Sequence, residues 1–379
     1  MAPEITIARL PRPRVDGPML AAVLTLVGLG VVMVAAASGS ASEAQTGAAF
    51  AILQRQAVFA GIGVVALALG AGIEPAALER RARIIVVVTV VLLALVLIPG
   101  LGHMAGGARR WLQLGPVGVQ IGEIAKGVVV IYLATVLAQR SREQARRSGV
   151  GALVHLVIPG VMMVLLLLEP DFGTAVLIAA VSFLLLFVGG ARVGNLAGLL
   201  ALAVPLLTLV VSTSAYRMRR VMAFLEPWEH RYDIGYQITE SLMTLGSGGA
   251  FGLGLGESRQ RLFFLPAAHT DFILAVLGEE LGFAGVTLVV ACFAVIGWRA
   301  LRAALMATST FTSLLIVGLS SMLLVQAAFN IAVVLGLVPT KGITLPFVSA
   351  GGSSLVTSMF FVGLLLRAVA DARAARGEV

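Results

Sequence analysis

Long apolar blocks alternate with short polar ones along nearly the whole chain. In order they are Met19–Ala37, Gln56–Ala71, Ile84–Pro99, Ile124–Ala138, Leu153–Leu168, Gly173–Gly189, Leu196–Thr213, Phe272–Trp298, Phe311–Gly336 and Ser354–Val369. Each approaches the roughly twenty residues that a helix needs to cross a ~30 Å hydrocarbon core. The ten-residue apolar–polar alternation of barrel strands does not recur. The pattern therefore predicts an all-α, polytopic integral membrane protein with ten transmembrane helices, because lipid offers no partner to the backbone of an open strand. Between the seventh and eighth blocks, residues 214–271 are too long for a connector and predict a large loop outside the membrane. The expected plan is one transmembrane domain over 1–379, with a tail at 1–18, the loop at 214–271 and a second tail at 370–379.

Charge orients the spans. Arg9, Arg12, Arg14, Arg80, Arg81, Arg83, Arg140, Arg142, Arg146, Arg147, Arg192, Arg299, Arg302, Arg367, Arg373 and Arg376 fall on one side if the blocks alternate. The positive-inside rule makes that side the cytoplasm, with both termini inside. The N-terminus reads as a signal-anchor, since no small-residue cleavage site follows its arginines. A second basic set falls on the other side: Arg109, Arg110, Arg217, Arg219, Arg220, Arg231, Arg259, Arg261 and Lys341. No topology rule demands cations there, so they point either to an anionic ligand or to pairing with Glu226, Glu229, Asp233 and Glu257 in a folded loop.

Composition adds exclusions. With 59% hydrophobic and 12% charged residues the chain is not a soluble domain. The net charge of +8 suits an anionic membrane surface or a phosphate-bearing ligand without choosing between them. A single cysteine, Cys292, excludes an intramolecular disulfide. Nothing in the sequence reads as a nucleic-acid module.

The stretch Gly246–Phe283 departs from the apolar pattern. Gly246, Gly248, Gly249, Gly252, Gly254 and Gly256 offer backbone freedom and exposed amides that suit an anion nest. They lack the lysine and spacing of a P-loop and the strand context of a dinucleotide fingerprint. Tyr236–Leu245 just before them has the mixed polarity of an interfacial helix. His269, Thr270 and Asp271 then stand where the polar loop meets the eighth block. A carboxylate at the mouth of a span is costly to desolvate and marks a functional candidate. Asp271 is also a favoured N-cap for a helix starting at Phe272, and the two roles are compatible.

Other polar residues interrupt the apolar blocks. Glu123 and Lys126 share one helix face and predict either a polar cavity or a neutralised pair with the lysine reaching outward. Glu169-Pro170-Asp171 is a turn or a broken helix, with Asp171 capping the next helix and Thr174 adding a hydroxyl. Glu279 and Glu280 require a bundle interior. Asn330 reads as interhelical hydrogen-bond glue. Trp111 is an interfacial anchor or packs on a ligand. Pro339–Leu355, with Lys341 and Ser349, is irregular backbone at membrane level, tolerated only where it is buried in protein or lines a cavity.

The motifs GARRWLQLG, QIGEIAK, EPDFGT, FLEPW, YQITESLMTLGSGG, LPAAHTDF with GEELGF, and PTKGITLPFVSAGGSS occur in that order. Together they resemble the SEDS family (shape, elongation, division and sporulation), which includes FtsW, RodA and SpoVE. The resemblance spans essentially all ten blocks, and PTKGITLP with GLGESRQRLFFLP is more similar to the FtsW/SpoVE branch than to RodA. Departures occur at Gln120-Ile121-Gly122-Glu123, where the family pattern has Gln-Pro-Ser-Glu. Ala267-Ala268 stand where an acidic residue is usual, and Ala350 where an aromatic is common.

The resemblance implies a peptidoglycan glycosyltransferase in the bacterial cytoplasmic membrane, acting on its outer face. It would polymerise lipid II into β-1,4-linked strands and release undecaprenyl diphosphate. Such a reaction needs a base for the acceptor hydroxyl and cationic or metal help for the departing diphosphate. Asp271 is expected to be the catalytic base or to hold a divalent cation, Mg or Mn. Glu123, Lys126, Arg109, Arg110, Trp111, His269, Thr270, Lys341 and Ser349 are expected to bind substrate. Ser247, Gly248 and Gly249 would shape the groove. A class B penicillin-binding protein and other division or elongation proteins are the implied partners. Two other classes compete, a lipid II flippase with polar groups through the midplane and a non-catalytic division scaffold.

Overall fold

A computed structural model describes residues 15–46, 51–105, 108–115, 117–143, 154–257, 269–340 and 342–377. Helices dominate. α1 (Gly17–Thr46), α2 (Ala51–Ala71) and α3 (Pro75–Leu97) carry the first three apolar blocks, and α4 (Ile121–Glu143), α5 (Val157–Leu168), α6 (Phe172–Val188) and α7 (Val193–Ser212) the next four. Two further helices, α8 (Ala215–Leu225) and α9 (Tyr236–Ser247), lie within the long polar stretch. α10 (Ile273–Met306), α11 (Thr310–Val334) and α12 (Gly352–Ala374) complete the chain. Seven of these helices are long and apolar enough to cross a membrane: α1, α2, α4, α7, α10, α11 and α12. α5 and α6 are apolar but shorter, and α3 opens with Glu79, Arg80, Arg81 and Arg83.

The all-α expectation needs one correction. A three-stranded antiparallel sheet, β1 (Gly102–Ala105), β2 (Ala108–Leu114) and β3 (Val117–Gln120), precedes α4. Residues 102–120 are too short and too polar to span, and paired strands satisfy their backbone locally. The register sets Trp111 opposite both His103 and Gln120. In this way β2 and β3 deliver Arg110 and Gln120 to the mouth of α4.

Lipid supplies no hydrophobic force between helices, so close backbone approach matters. α2 and α12 lie against each other, and a β-carbon at Gly70 or Gly363 would collide with backbone of the facing helix. α4 is the most enclosed of the seven membrane-length helices and contacts α3, α6 and α11. At the end of the bundle where α1 begins, the buried Asp16 carboxylate accepts from Arg299 Nη2 at 2.8 Å and Arg373 Nη1 at 2.9 Å. That ion triad ties α1, α10 and α12 together. The opposite end holds the sheet, α8, α9 and the segment 339–351.

α9 is the helix that the mixed polarity of Tyr236–Leu245 announced. It is built into the bundle rather than lying alone at an interface: Ile238, Thr239, Ser241 and Thr244 are buried, and Ser241 Oγ donates to the Val334 carbonyl at 3.0 Å.

Candidate functional site at the sheet end of the bundle

Residues 269–271 are sewn into place through their backbone. Asn330 Nδ2 on α11 donates to the carbonyls of Asp271 and Ile343, both at 2.8 Å. Ser349 Oγ donates to the Thr270 carbonyl at 2.7 Å and accepts from Leu345 N at 2.8 Å. Ala350 N donates to the His269 carbonyl at 2.9 Å. Asn330 thus joins α11 to two loop segments, where the sequence suggested a bond between helices. Ser349 acts as a brace for the 269–271 turn.

These bonds leave the Asp271 side chain to other duties. The N-cap position of α10 belongs to Phe272, and no side chain caps the helix. The capping role expected for Asp271 is therefore corrected: the chain turns one residue later than the sequence suggested. Burial pushes the Asp271 carboxyl up to about 6, while Arg220 and then Arg110 pull it back. A carboxylate near neutrality in this way is matched to proton abstraction. His269 is held below its ordinary value by burial.

Beneath this turn a closed ring of polar side chains joins three helices and the 339–351 segment. Glu123 Oε2 and Lys126 Nζ are 2.8 Å apart. Lys126 Nζ donates to Gln326 Oε1 at 2.6 Å, and Gln326 Nε2 donates to the Thr344 carbonyl at 3.0 Å. Thr344 Oγ1 lies 3.3 Å from Ser354 Oγ, which donates to Glu123 Oε2 at 2.9 Å. Lys126 is buried and does not reach outward. Of the two arrangements open from the sequence, the pair faces the bundle interior. A ring in which each member has a partner offsets the desolvation of its charges and fixes the helices that carry it.

Arg110 reaches from β2 to the turn between α5 and α6. Its Nε donates to the Glu169 carbonyl at 3.2 Å, and its Nη2 to that of Pro170. The turn and the cap foreseen for Glu169-Pro170-Asp171 are both present. Asp171 caps α6 by accepting from Thr174 N at 3.2 Å, and its other oxygen accepts from Thr174 Oγ1 at 2.9 Å and Gln120 Nε2 at 3.1 Å. The Glu169 side chain is buried, and its carboxyl is pushed up to about 8 by burial and then by Asp171, with Arg110 opposing.

Several candidates sit elsewhere. Arg109 turns back to α3, where its Nη1 donates to the Leu97 carbonyl at 3.3 Å. Trp111 is half-buried on β2 against Gly118. Ser247, Gly248 and Gly249 pack at a kink in α10, not around the Asp271 turn. Ser247 Oγ donates to the Thr244 carbonyl at 2.8 Å, and Phe283 N donates to the Gly249 carbonyl at 2.9 Å. The kink is at Gly282, with φ 67° and ψ −164°, and Glu279 and Glu280 beside it are buried. Lys341, Arg259 and Arg261 lie outside the described residues. Among the described residues no group of three His, Cys, Asp or Glu side chains gathers as a metal cage.

Sequence reading passed over Arg220 as a site residue. On α8 its Nη1 donates to the Thr340 carbonyl at 2.7 Å, and its charge pulls on Asp271 more strongly than that of Arg110. The available signal was helical: Arg217, Arg220 and Phe224 recur at three- and four-residue spacing.

This arrangement defines a class, a multi-pass helical membrane protein with a half-buried carboxylate, acted on by two arginines, at one end of its bundle. The chain belongs to the FtsW/RodA/SpoVE family of cell cycle proteins, whose family model matches residues 18–374. A relative named probable peptidoglycan glycosyltransferase FtsW, from Thioalkalivibrio sp. (strain K90mix), is 42% identical over 365 residues, covering 96% of this chain and 91% of its own. A solved structure described as structural coordination of polymerization and crosslinking by a peptidoglycan synthase complex superposes with a TM-score of 0.76. It is 29% identical, over 94% of this chain and 97% of that one. The rod shape determining protein RodA of Thermus thermophilus superposes at 0.68, with 29% identity over 94% of this chain and 96% of its own.

Proposed function

We propose that this protein is a peptidoglycan glycosyltransferase that polymerises lipid II into β-1,4-linked glycan and releases undecaprenyl diphosphate. The family assignment and the relatives' names support the reading, and one observation carries its chemistry: a half-buried Asp271 carboxyl just ahead of α10, pushed up to about 6 by desolvation, on which Arg220 and Arg110 act in the opposite direction. In this reading the acceptor 4-hydroxyl attacks C1 of the lipid-linked donor. The new C–O bond forms as the bond from C1 to the diphosphate breaks, and the diphosphate oxygen takes the electron pair. Asp271 takes the hydroxyl proton. The Glu123–Lys126 ring holds α4, α11 and α12 in register beneath the site, and His269, Thr270 and Ser349 fix the turn that aims the carboxylate.

A divalent cation would find one protein carboxylate in Asp271, which fits the habit of Mg²⁺ of binding through one or two carboxylates plus substrate phosphates. Bound there, Mg or Mn would neutralise diphosphate charge.

Arginine placement supports ten spans with both termini in the cytoplasm and the Asp271 end on the outer face of the bacterial cytoplasmic membrane. Most of each apolar block lies on a helix, and seven described helices are long and apolar enough to cross; the reading extends that number to ten. Likeness to a peptidoglycan synthase complex supports a class B penicillin-binding protein as partner. Septal synthesis is favoured over elongation by the FtsW names among the relatives.

The test is lipid II polymerisation by purified protein, with and without its cognate transpeptidase, for the native and Asp271→Ala forms. Polymer from the native form alone supports the reading. Polymer from both removes Asp271 as the base. Absence of polymer under every partnered condition, with lipid II translocation in vesicles, makes the protein a flippase.

A further inference from the structure

Helix α8 has two unlike faces. Toward the bundle it turns Arg217, Arg220 and Phe224, and away from it the exposed Met218, Arg219, Met222 and Leu225. The inward face is pinned at two points. Arg217 Nη1 donates to the Val210 carbonyl at the end of α7 at 2.8 Å, and its guanidinium lies 5.4 Å over the Phe172 ring. Arg220 Nη1 donates to the Thr340 carbonyl at 2.7 Å. Two residues further on, a β-carbon on Gly342 would stand 3.5 Å from Asp271 Oδ2. Arg220 therefore sits over the segment that faces the carboxylate.

The outward face suits an interface. Methionines and a leucine exposed along one side of an arginine-rich helix match a helix lying at headgroup depth, its apolar side in acyl chains and its cations among phosphates. Its ends agree, because α8 begins three residues after the membrane-length α7 stops. Arg220, on the inward face of such a helix, stands at the boundary between lipid and the segment beside Asp271, a place that suits a ligand with a charged head and an apolar chain.

We propose that Arg220 is a binding residue for the diphosphate of a polyprenyl-linked substrate, delivered beside Asp271 by an interfacial helix. The inference rests on the glycosyltransferase reading for its reaction but not for its ligand. A guanidinium fork matches phosphate oxygens in pairs. Arg110, the other arginine acting on Asp271, is held on the Glu169 and Pro170 carbonyls. Arg220 then meets the charge that grows on the diphosphate oxygen as its bond to C1 breaks, while Asp271 receives the proton. Desolvation outweighs the pull of Arg220 on Asp271, so the carboxyl stays above its ordinary value with the arginine in place.

The experiment is binding of undecaprenyl diphosphate, undecaprenol and inorganic pyrophosphate to full-length protein in phosphatidylcholine nanodiscs, with lipid II polymerisation measured on the same preparations. Native protein is expected to prefer undecaprenyl diphosphate over both other probes. Arg220→Ala is expected to weaken that binding by about 10- to 100-fold, the usual weight of a hydrogen bond to a charged group. Arg220→Lys should recover part of it, and the outward Arg219→Ala should bind as native. Thermal midpoints of all variants separate lost binding from lost fold, and the lysine variant keeps the test alive if the alanine form unfolds. Unchanged binding in Arg220→Ala and Arg220→Lys overturns the proposal, as does equal affinity for inorganic pyrophosphate, which would make this a free-anion site. Binding through Arg220 with no polymer from any partnered preparation overturns the glycosyltransferase reading and leaves the diphosphate site standing. Native-rate polymer from a folded Arg220→Ala does the reverse.

Discussion

Asn330 Nδ2 donates to the Asp271 carbonyl at 2.8 Å and, with its other hydrogen, to the Ile343 carbonyl at the same distance. One amide on α11 thus fixes the spacing between the carboxylate turn and the 339–351 segment. The bond is to backbone, so it positions Asp271 without touching its acid group.

Removing that amide should misplace the carboxylate more than it unfolds the protein. Asn330→Ala leaves two carbonyls without this donor, a cost of about 1–3 kcal/mol each where they are buried. The expected outcome is a modest fall in thermal midpoint with a polymerisation rate reduced at least tenfold. A rate within twofold of native would show that the turn holds itself.

Asp271 predicts a pH profile. A base works in its ionised form, so activity should rise as pH passes about 6, where burial has raised the carboxyl from 3.8. Asp271→Asn should remove that acidic limb together with about 10²- to 10⁴-fold of rate. An unaltered limb in the residual activity of the variant would assign it to another group.

The Glu123–Lys126 pair predicts a thermodynamic cycle. Glu123→Gln or Lys126→Met alone strands a buried charge, which typically costs about 3–5 kcal/mol. The double variant should be more stable than the less stable of the two single variants, and the cycle should give a coupling of about 1–3 kcal/mol. Thermal unfolding in detergent measures all four proteins. Additive losses would mean that the ring around the pair does not depend on its charges.

Glu169 predicts a stability effect of opposite sign to that of a salt-bridged acid. Its folded carboxyl lies near 8 against an ordinary 4.5. Between those values the folded protein binds more protons than the unfolded chain, so stability falls as pH rises through the window and levels off above it. Glu169→Gln should flatten that fall and raise the thermal midpoint above pH 8 relative to native. A midpoint that falls equally in both proteins would place the titration elsewhere.

Much of the architecture was legible along the chain. The apolar blocks fell on helices because crossing lipid imposes a length and a polarity that can be read locally. Asp271, Glu123 and Lys126 stood out because an ionisable group in or beside an apolar block has few explanations. The sheet at 102–120 was missed because short strands leave a weak pattern beside such blocks, and α8 because its apolar residues look like loop composition until one face is assembled.

By itself the sequence determined the class, the run of helices and the family, each of which depends on neighbours in the chain or on motif order. Tertiary structure alone decided how the polar groups meet. Ser354 and Glu123 are 231 positions apart, and Arg220 and Thr340 are 120 apart. No local period encodes such pairs. It also decided that Arg109 turns back to α3, that Ser247–Gly249 sit at the α10 kink, and that α10 starts after Phe272 with no capping side chain. These outcomes follow from which helix faces pack together, because desolvated polar groups must find partners wherever the packing of distant segments brings them.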